Sequence, residues 1–211
     1  MSASDAPLRD LVYAIVADDA GLWRAQLAAA PQLSRIGFRT GATRNSEQGY
    51  FLESIKRWII AGDTALHFAA AAYNLEAAKS LIQAGADLHA RNRHGHTPLH
   101  AAAAGIPGSP AWNPEAQTAT IAALIEAGAD PNATDKRGVT PLHVAVRTRC
   151  ADVVRALIAH GSDPAKPNGN GSTPMLLATQ NTGRGGSGSP QAKAQQREIL
   201  RLLQQSVQQA R

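Results

Sequence analysis

Three arginines, a tryptophan and a cysteine are the side chains of this 211-residue chain with the most chemistry to offer. The guanidiniums of Arg147, Arg149 and Arg184 are planar forks suited to carboxylate or phosphate. Arg184 sits in a glycine-rich run, Gly183 to Gly188, whose backbone N–H groups can approach an anion closely, with Ser187 among them. Trp112 can supply an apolar or stacking wall, and Asn113 follows it. Tyr73 occupies the matching place earlier in the chain. Each of these segments leads into a helix, where free N–H groups and the positive dipole end favour an anion. Tyr73, Trp112, Asn113, Arg147, Arg149, Arg184 and Ser187 are therefore the candidate site for a small anionic ligand. Cys150, beside Arg149 at a helix start, stands where a thiol pKa is lowered, which makes it a candidate nucleophile. No base is assignable within its reach, so no catalytic residue is named.

Other chemical signals fail on context. Gly183-Arg184-Gly185-Gly186-Ser187-Gly188 has GxGxxG spacing, but no strand precedes it and no βαβ unit surrounds it. His89, His94, His96 and His100 cluster without a cysteine or acid to complete a metal cage. There is no HExxH, P-loop or hydrolase elbow, and no cofactor or metal is called for. The single cysteine excludes an intramolecular disulfide framework and fits a reducing compartment. Leu11 to Ala17 is a short apolar run without a basic leader, a poor signal peptide. No run approaches membrane-spanning length, so the expected location is the cytoplasm. A formal charge of +5 permits attraction to acidic partners. Aromatic residues make up only 4% and are not interleaved with the basic ones, so sequence-specific nucleic-acid binding is not expected.

What positions these residues is a repeat. Gly62-Asp63-Thr64-Ala65-Leu66-His67 lies 33 residues before Gly95-His96-Thr97-Pro98-Leu99-His100. Gly138-Val139-Thr140-Pro141-Leu142-His143 comes 43 residues later, and Gly171-Ser172-Thr173-Pro174-Met175-Leu176 a further 33. A fixed period of this size means a stacked array. Each threonine opens a helix, where its hydroxyl can accept an early N–H, and Pro98, Pro141 and Pro174 follow as first-turn residues. Small Ala69-Ala70, Ala101-Ala102 and Ala145 let helices approach. A second helix ends at Gly85, Gly128 or Gly161, the left-handed terminator. Polar tips at Asn92 to Gly95 and Asp135 to Gly138 lead to the next threonine.

These residues resemble the ankyrin repeat. The TPLH-type opening, two helices, Gly-Ala-Asp exit and 33-residue step recur in four copies over 62–94, 95–137, 138–170 and 171–211. The resemblance implies an all-α solenoid with β-hairpin-like fingers, one continuous domain, and binding of a protein partner through the concave surface. It also implies that His67, His100 and His143 are structural hydrogen-bonding residues. Arg91, Arg93, His94, Lys136 and Arg137 are the finger residues expected to meet that partner, an acidic one by charge.

Residues 1–61 read as a modified helical cap. Leu8, Leu11, Val12, Ile15 and Val16 mark one helix face, and Leu22 to Ala30 a second helix ended by Pro31. Ser34 to Gly49 is a loop without periodicity. Phe51, Leu52, Ile55, Trp58 and Ile59 have helical spacing, which predicts an added amphipathic helix with Lys56 and Arg57 solvated. A last helix is expected over Glu198 to Val207. Two units carry insertions between their helices, around Trp112 and around Arg184. Both occupy the same turn, so they protrude from the same end of the stack. In the units without insertions, Tyr73 and Arg149 replace a glycine at that turn. The alternative function is thus a receptor, or an enzyme, for a small anion held by these loops.

Overall fold

The computed structural model describes residues 3–43, 49–105, 112–180 and 190–209. Helix pairs follow one another along the chain: α1 (Ala6–Val16) with α2 (Ala20–Ala29), α3 (Ala65–Ala71) with α4 (Leu75–Gln83), and α5 (Pro98–Ala103) with α6 (Pro114–Glu126). Then come α7 (Pro141–Thr148) with α8 (Ala151–Ala159), and α9 (Pro174–Thr179) with α10 (Pro190–Gln209). The odd-numbered helices pack side by side in one layer, and α2, α4, α6, α8 and α10 do so in the other. This is an all-α solenoid. Its inner layer is built on alanine: Ala65, Ala69, Ala70, Ala102, Ala103 and Ala145 are fully buried beside Leu66, Leu99 and Leu142. Methyl-sized side chains let neighbouring helices close up, so the contact is dispersion between well-fitted surfaces rather than a bulky apolar core.

Each repeated histidine joins its unit to the next. His67 Nδ1 accepts from the Thr64 N–H at 3.1 Å, and His100 and His143 do the same for Thr97 and Thr140 at 3.2 Å. With Nδ1 as acceptor, Nε2 carries the proton. It donates to the carbonyls of His96, Val139 and Ser172 respectively, at 2.9–3.0 Å. Thr140 and Thr173 cap their helices as expected, accepting from the N–H groups of His143 and Leu176.

The finger tips are built from one side chain each. Asn92 Oδ1 accepts from the His94 and His96 N–H groups, Asp135 Oδ1 from Arg137 and Val139, and Asn168 Oδ1 from Asn170 and Ser172. Adjacent tips are tied by backbone bonds: Arg93 N–H to the Ala61 carbonyl, Lys136 N–H to His94, and Gly169 N–H to Arg137.

The expected helix over 51–59 is instead a two-stranded antiparallel hairpin, β1 (Phe51–Leu52) and β2 (Arg57–Trp58). A spacing of seven puts Phe51 and Trp58 on one helix face, and it also makes them cross-strand partners. Here their rings meet at 4.6 Å between centroids. The hairpin is favoured because Lys56 takes a left-handed conformation (φ 48°) and the flanking backbone is already paired. Ile59 N–H donates to Tyr50, Ala42 N–H to Ile59, and Phe38 N–H to Asp63. Part of the supposed loop at 34–49 is therefore an extended rung on the first finger. Arg57 is not solvated either: it pairs with the fully buried Asp63 at 3.2 Å, and Asp63 also accepts from Asn92 Nδ2 at 2.9 Å. The last helix begins at Pro190, earlier than Glu198, with Ile199 and Leu203 buried.

Burial holds the pKa of His67, His100 and His143 below the ordinary histidine value, that of His100 at about 4. The unfolded chain therefore takes up protons first as pH falls. Stability should be complete above about pH 6.5 and be lost on acidification toward pH 4, by up to about 1.4 kcal/mol per pH unit per histidine. Urea melts at pH 7.5, 6 and 5 check this: a steep fall in the midpoint is expected, and a flat one refutes the neutral ladder.

Candidate functional site

Two surfaces hold the residues singled out above: the turns between paired helices, and the finger tips at the other side of each unit. At the turns, Asp18, Tyr73 and Arg149 adopt the left-handed conformation with φ of 56°, 56° and 57°. Each immediately precedes the first cap of a second helix (Asp19, Asn74 and Cys150). A side chain there costs about 1 kcal/mol relative to glycine.

Tyr73 and Trp112 are brought together. They line a pocket of about 220 Å³ with Ile55, Lys56 and Arg57 of the hairpin and Ala101, Ala104 and Gly105 of the next unit. The Tyr73 hydroxyl donates to the Ala104 carbonyl at 2.7 Å, and burial pushes its phenol pKa up. Trp112 Nε1 donates to Gln117 Oε1 at 2.8 Å, and Gln117 Nε2 donates to the Ala102 carbonyl. Asn113 caps α6, its Oδ1 accepting from the Ala116 N–H.

Arg147 and Arg149 line a different pocket, of about 70 Å³, with Val146, Leu177, Ala178, Gln180, Gln196 and Ile199. The two pockets have no described lining residue in common. The tyrosine–tryptophan pair and the arginine pair therefore sit in grooves two units apart along the stack. Arg184 and Ser187 lie outside the described residues. Gln180, Gln196 and the hairpin residues lie outside the sequence-derived candidates: the glutamines carry no motif, and the spacing of the hairpin residues predicts a helix.

Cys150 is not an activated thiol. It is fully buried, and burial raises its pKa to about 11; the Thr148 hydroxyl, 3.4 Å from Sγ, offsets this only in part. A β-carbon placed on Gly105 would stand 2.4 Å from its sulfur, which shows how closely the neighbouring unit covers it. Packing against that unit outweighs any help from the start of α8.

At the fingers the five named residues divide by what holds them. Arg91 Nη1 donates to the carbonyls of Gly95 and Thr134, and Arg93 Nη2 to Ala42 at 2.7 Å. Both guanidiniums thus bridge neighbouring units. Lys136 and Arg137 are exposed; Arg137 Nε stands 3.9 Å from Asp135, and its side chain is 75% accessible. His94 is exposed and begins a ring series: His94 and His96 centroids are 6.0 Å apart, and His96 stacks on His100 at 5.5 Å and 6°. His96 Nε2 lies 3.3 Å from Asp135 Oδ2. Burial lowers the His96 pKa, aided by Arg57 and opposed by Asp135. Among the described residues no group of three metal-ligating side chains converges, and no helix is long and apolar enough to cross a membrane.

Comparison with known proteins agrees with this geometry. Three family models match in succession: ankyrin repeats (3 copies) at residues 44–109, a single ankyrin repeat at 94–136, and ankyrin repeats (many copies) at 124–178. The chain is an ankyrin-repeat protein. Protein phosphatase 1 regulatory subunit 12A of Mus musculus is 37% identical to it over 83 residues, and the Rattus norvegicus protein matches equally. The match covers 34% of this ankyrin chain and 8% of each relative's length.

The ankyrin packing around Cys150 has a direct chemical consequence. Native protein at pH 8 should react with iodoacetamide at least about 100-fold more slowly than urea-unfolded protein, because the thiol is both covered and protonated. Alkylation at the free-thiol rate, followed by mass spectrometry, would show an accessible thiolate and overturn this placement.

Proposed function

We propose that the protein is an interaction module that binds an acidic protein partner in the cytoplasm, through its fingers and the adjoining inner helices. The observation that carries this reading is the state of Lys136 and Arg137. Their backbone is fixed by Asp135 Oδ1, by the His94 carbonyl before and by the Gly169 N–H after, yet their side chains stand in water. Rigid backbone with exposed cations loses little conformational entropy on docking and steers an oppositely charged partner. The ankyrin family and the partial likeness to a phosphatase regulatory subunit support the same class of work.

Arg91 and Arg93 are poorer probes, since removing either breaks a bond between units. The test is affinity capture with the full chain against its K136E/R137E double variant, quantified by mass spectrometry. We expect the variant to keep its melting temperature and to lose the specifically retained partner by about tenfold, with raised salt weakening the wild-type complex likewise. Equal retention by both proteins would place the contact elsewhere.

A further inference from the structure

The sharpest anomaly in the molecule is Arg149. Its side chain is only 4% exposed, and neither Nη1 nor Nη2 has a hydrogen-bond partner. A guanidinium stays protonated throughout the range in which proteins fold. This one is therefore a full charge sealed from water and left uncompensated, a costly arrangement. Its left-handed backbone adds strain. The matching turn residues return something for that strain: Asp18 Oδ1 accepts from Asn74 Nδ2, and the Tyr73 hydroxyl donates to Ala104. The turn itself does not require an arginine, and among the described residues no side chain or carbonyl bonds its two terminal nitrogens.

Beside Arg149 lies the pocket of about 70 Å³ between α7, α9 and α10. Its apolar walls are Val146, Leu177, Ala178 and Ile199, and its polar ones Arg147, Gln180 and Gln196. No carboxylate is among its described lining residues. The Ala178 carbonyl already accepts from Gln196 Nε2 at 2.8 Å. Asp152 acts on Cys150 electrostatically but is exposed on the first turn of α8 and makes no hydrogen bond to Arg149. Two cations against low-dielectric walls, with no acid between them, focus positive potential into this space. A water molecule takes about 30 Å³ of liquid. The pocket therefore has room for a small ion of a few heavy atoms.

We propose that this pocket binds a small oxyanion, phosphate or carboxylate, as the missing counter-charge of Arg149. Because Nη1 and Nη2 are sealed from bulk water, Arg149 meets the ion by turning about its terminal torsions into the adjoining pocket. There its two parallel N–H donors grip paired oxygens. Arg147, exposed at the rim, draws the ion in. The site lies away from the finger surface, so it stands whether or not a partner docks there.

The experiment is a thermal-shift series on the full chain with inorganic phosphate, acetate or chloride at matched ionic strength, for wild type and R149G. The glycine variant removes the charge and relaxes the backbone, so without added anion it should melt above wild type. Wild type should gain about 2–4 °C with phosphate or acetate over chloride, and R149G should gain none. A response to phosphate alone names phosphate, one to acetate alone names carboxylate, and either upholds the site. No gain with either salt, or an equal gain in both proteins, overturns it. Should R149G fail to fold, titrating phosphate and acetate into arginine-labelled wild type gives an independent readout by NMR. A shifted guanidinium resonance absent from R149K upholds the site, and unmoved resonances with both ions overturn it.

Discussion

The stack depends on a ring that makes two different hydrogen bonds at once. In His67, His100 and His143, Nδ1 closes the start of its own helix while Nε2–H holds a carbonyl of the next finger. The neutral imidazole has one acceptor and one donor on opposite sides of the ring, whereas the charged ring has two donors and no acceptor. Glutamate, the usual third residue of a capping box, could close the helix but could not donate onward. The same ring thus sets where each inner helix begins and how far away the next unit lies. The alanine layer follows from that distance, since larger side chains would force the helices apart. In the last unit Thr173 still caps α9, but Leu176 stands in the histidine's place and is exposed.

The period made most of this architecture legible, because the threonine openings and glycine exits are local signals that repeat where a helix must start or stop. What it could not convey was partnership across the stack. Phe51 and Trp58 satisfy a helical face and a cross-strand pair equally well, and only the rung formed by Phe38 and Ala42 decides between them. By sequence Arg57 is a solvated cation beside Lys56, yet Asp63, itself tied to Asn92 of the following finger, draws it inward. Cys150 shows the same contrast. Its position at a helix start is a local fact, whereas the burial that raises its pKa comes from the neighbouring unit.

The candidate site shows the same limit from another side. Equivalent turns share the left-handed residue, and the two layers of side-by-side helices carry them along one end of the stack. Equivalence along a solenoid fixes direction, not proximity. Tyr73 reaches forward to Ala104 and closes against Trp112, while Arg149 faces Gln196 and Ala178 in the last unit. Each turn residue therefore belongs to the groove between its own unit and the next, and the grooves of Tyr73 and Arg149, two units apart, do not merge.

This arrangement explains why the two ends of the molecule vary so differently. At the finger end one oxygen of Asn92, Asp135 or Asn168 satisfies two backbone donors, and the next tip bonds to the first. A change there would strand buried donors in two units. At the turn end the backbone needs only one left-handed residue, and aspartate, tyrosine and arginine all supply it at similar cost. The side chain is then free to differ from groove to groove, and the three residues use that freedom differently. Asp18 and Tyr73 spend it on hydrogen bonds within the fold. Arg149 leaves a charge beside a pocket with no carboxylate among its described lining residues, so the turn end is where this stack has room for chemistry that its own stability does not require.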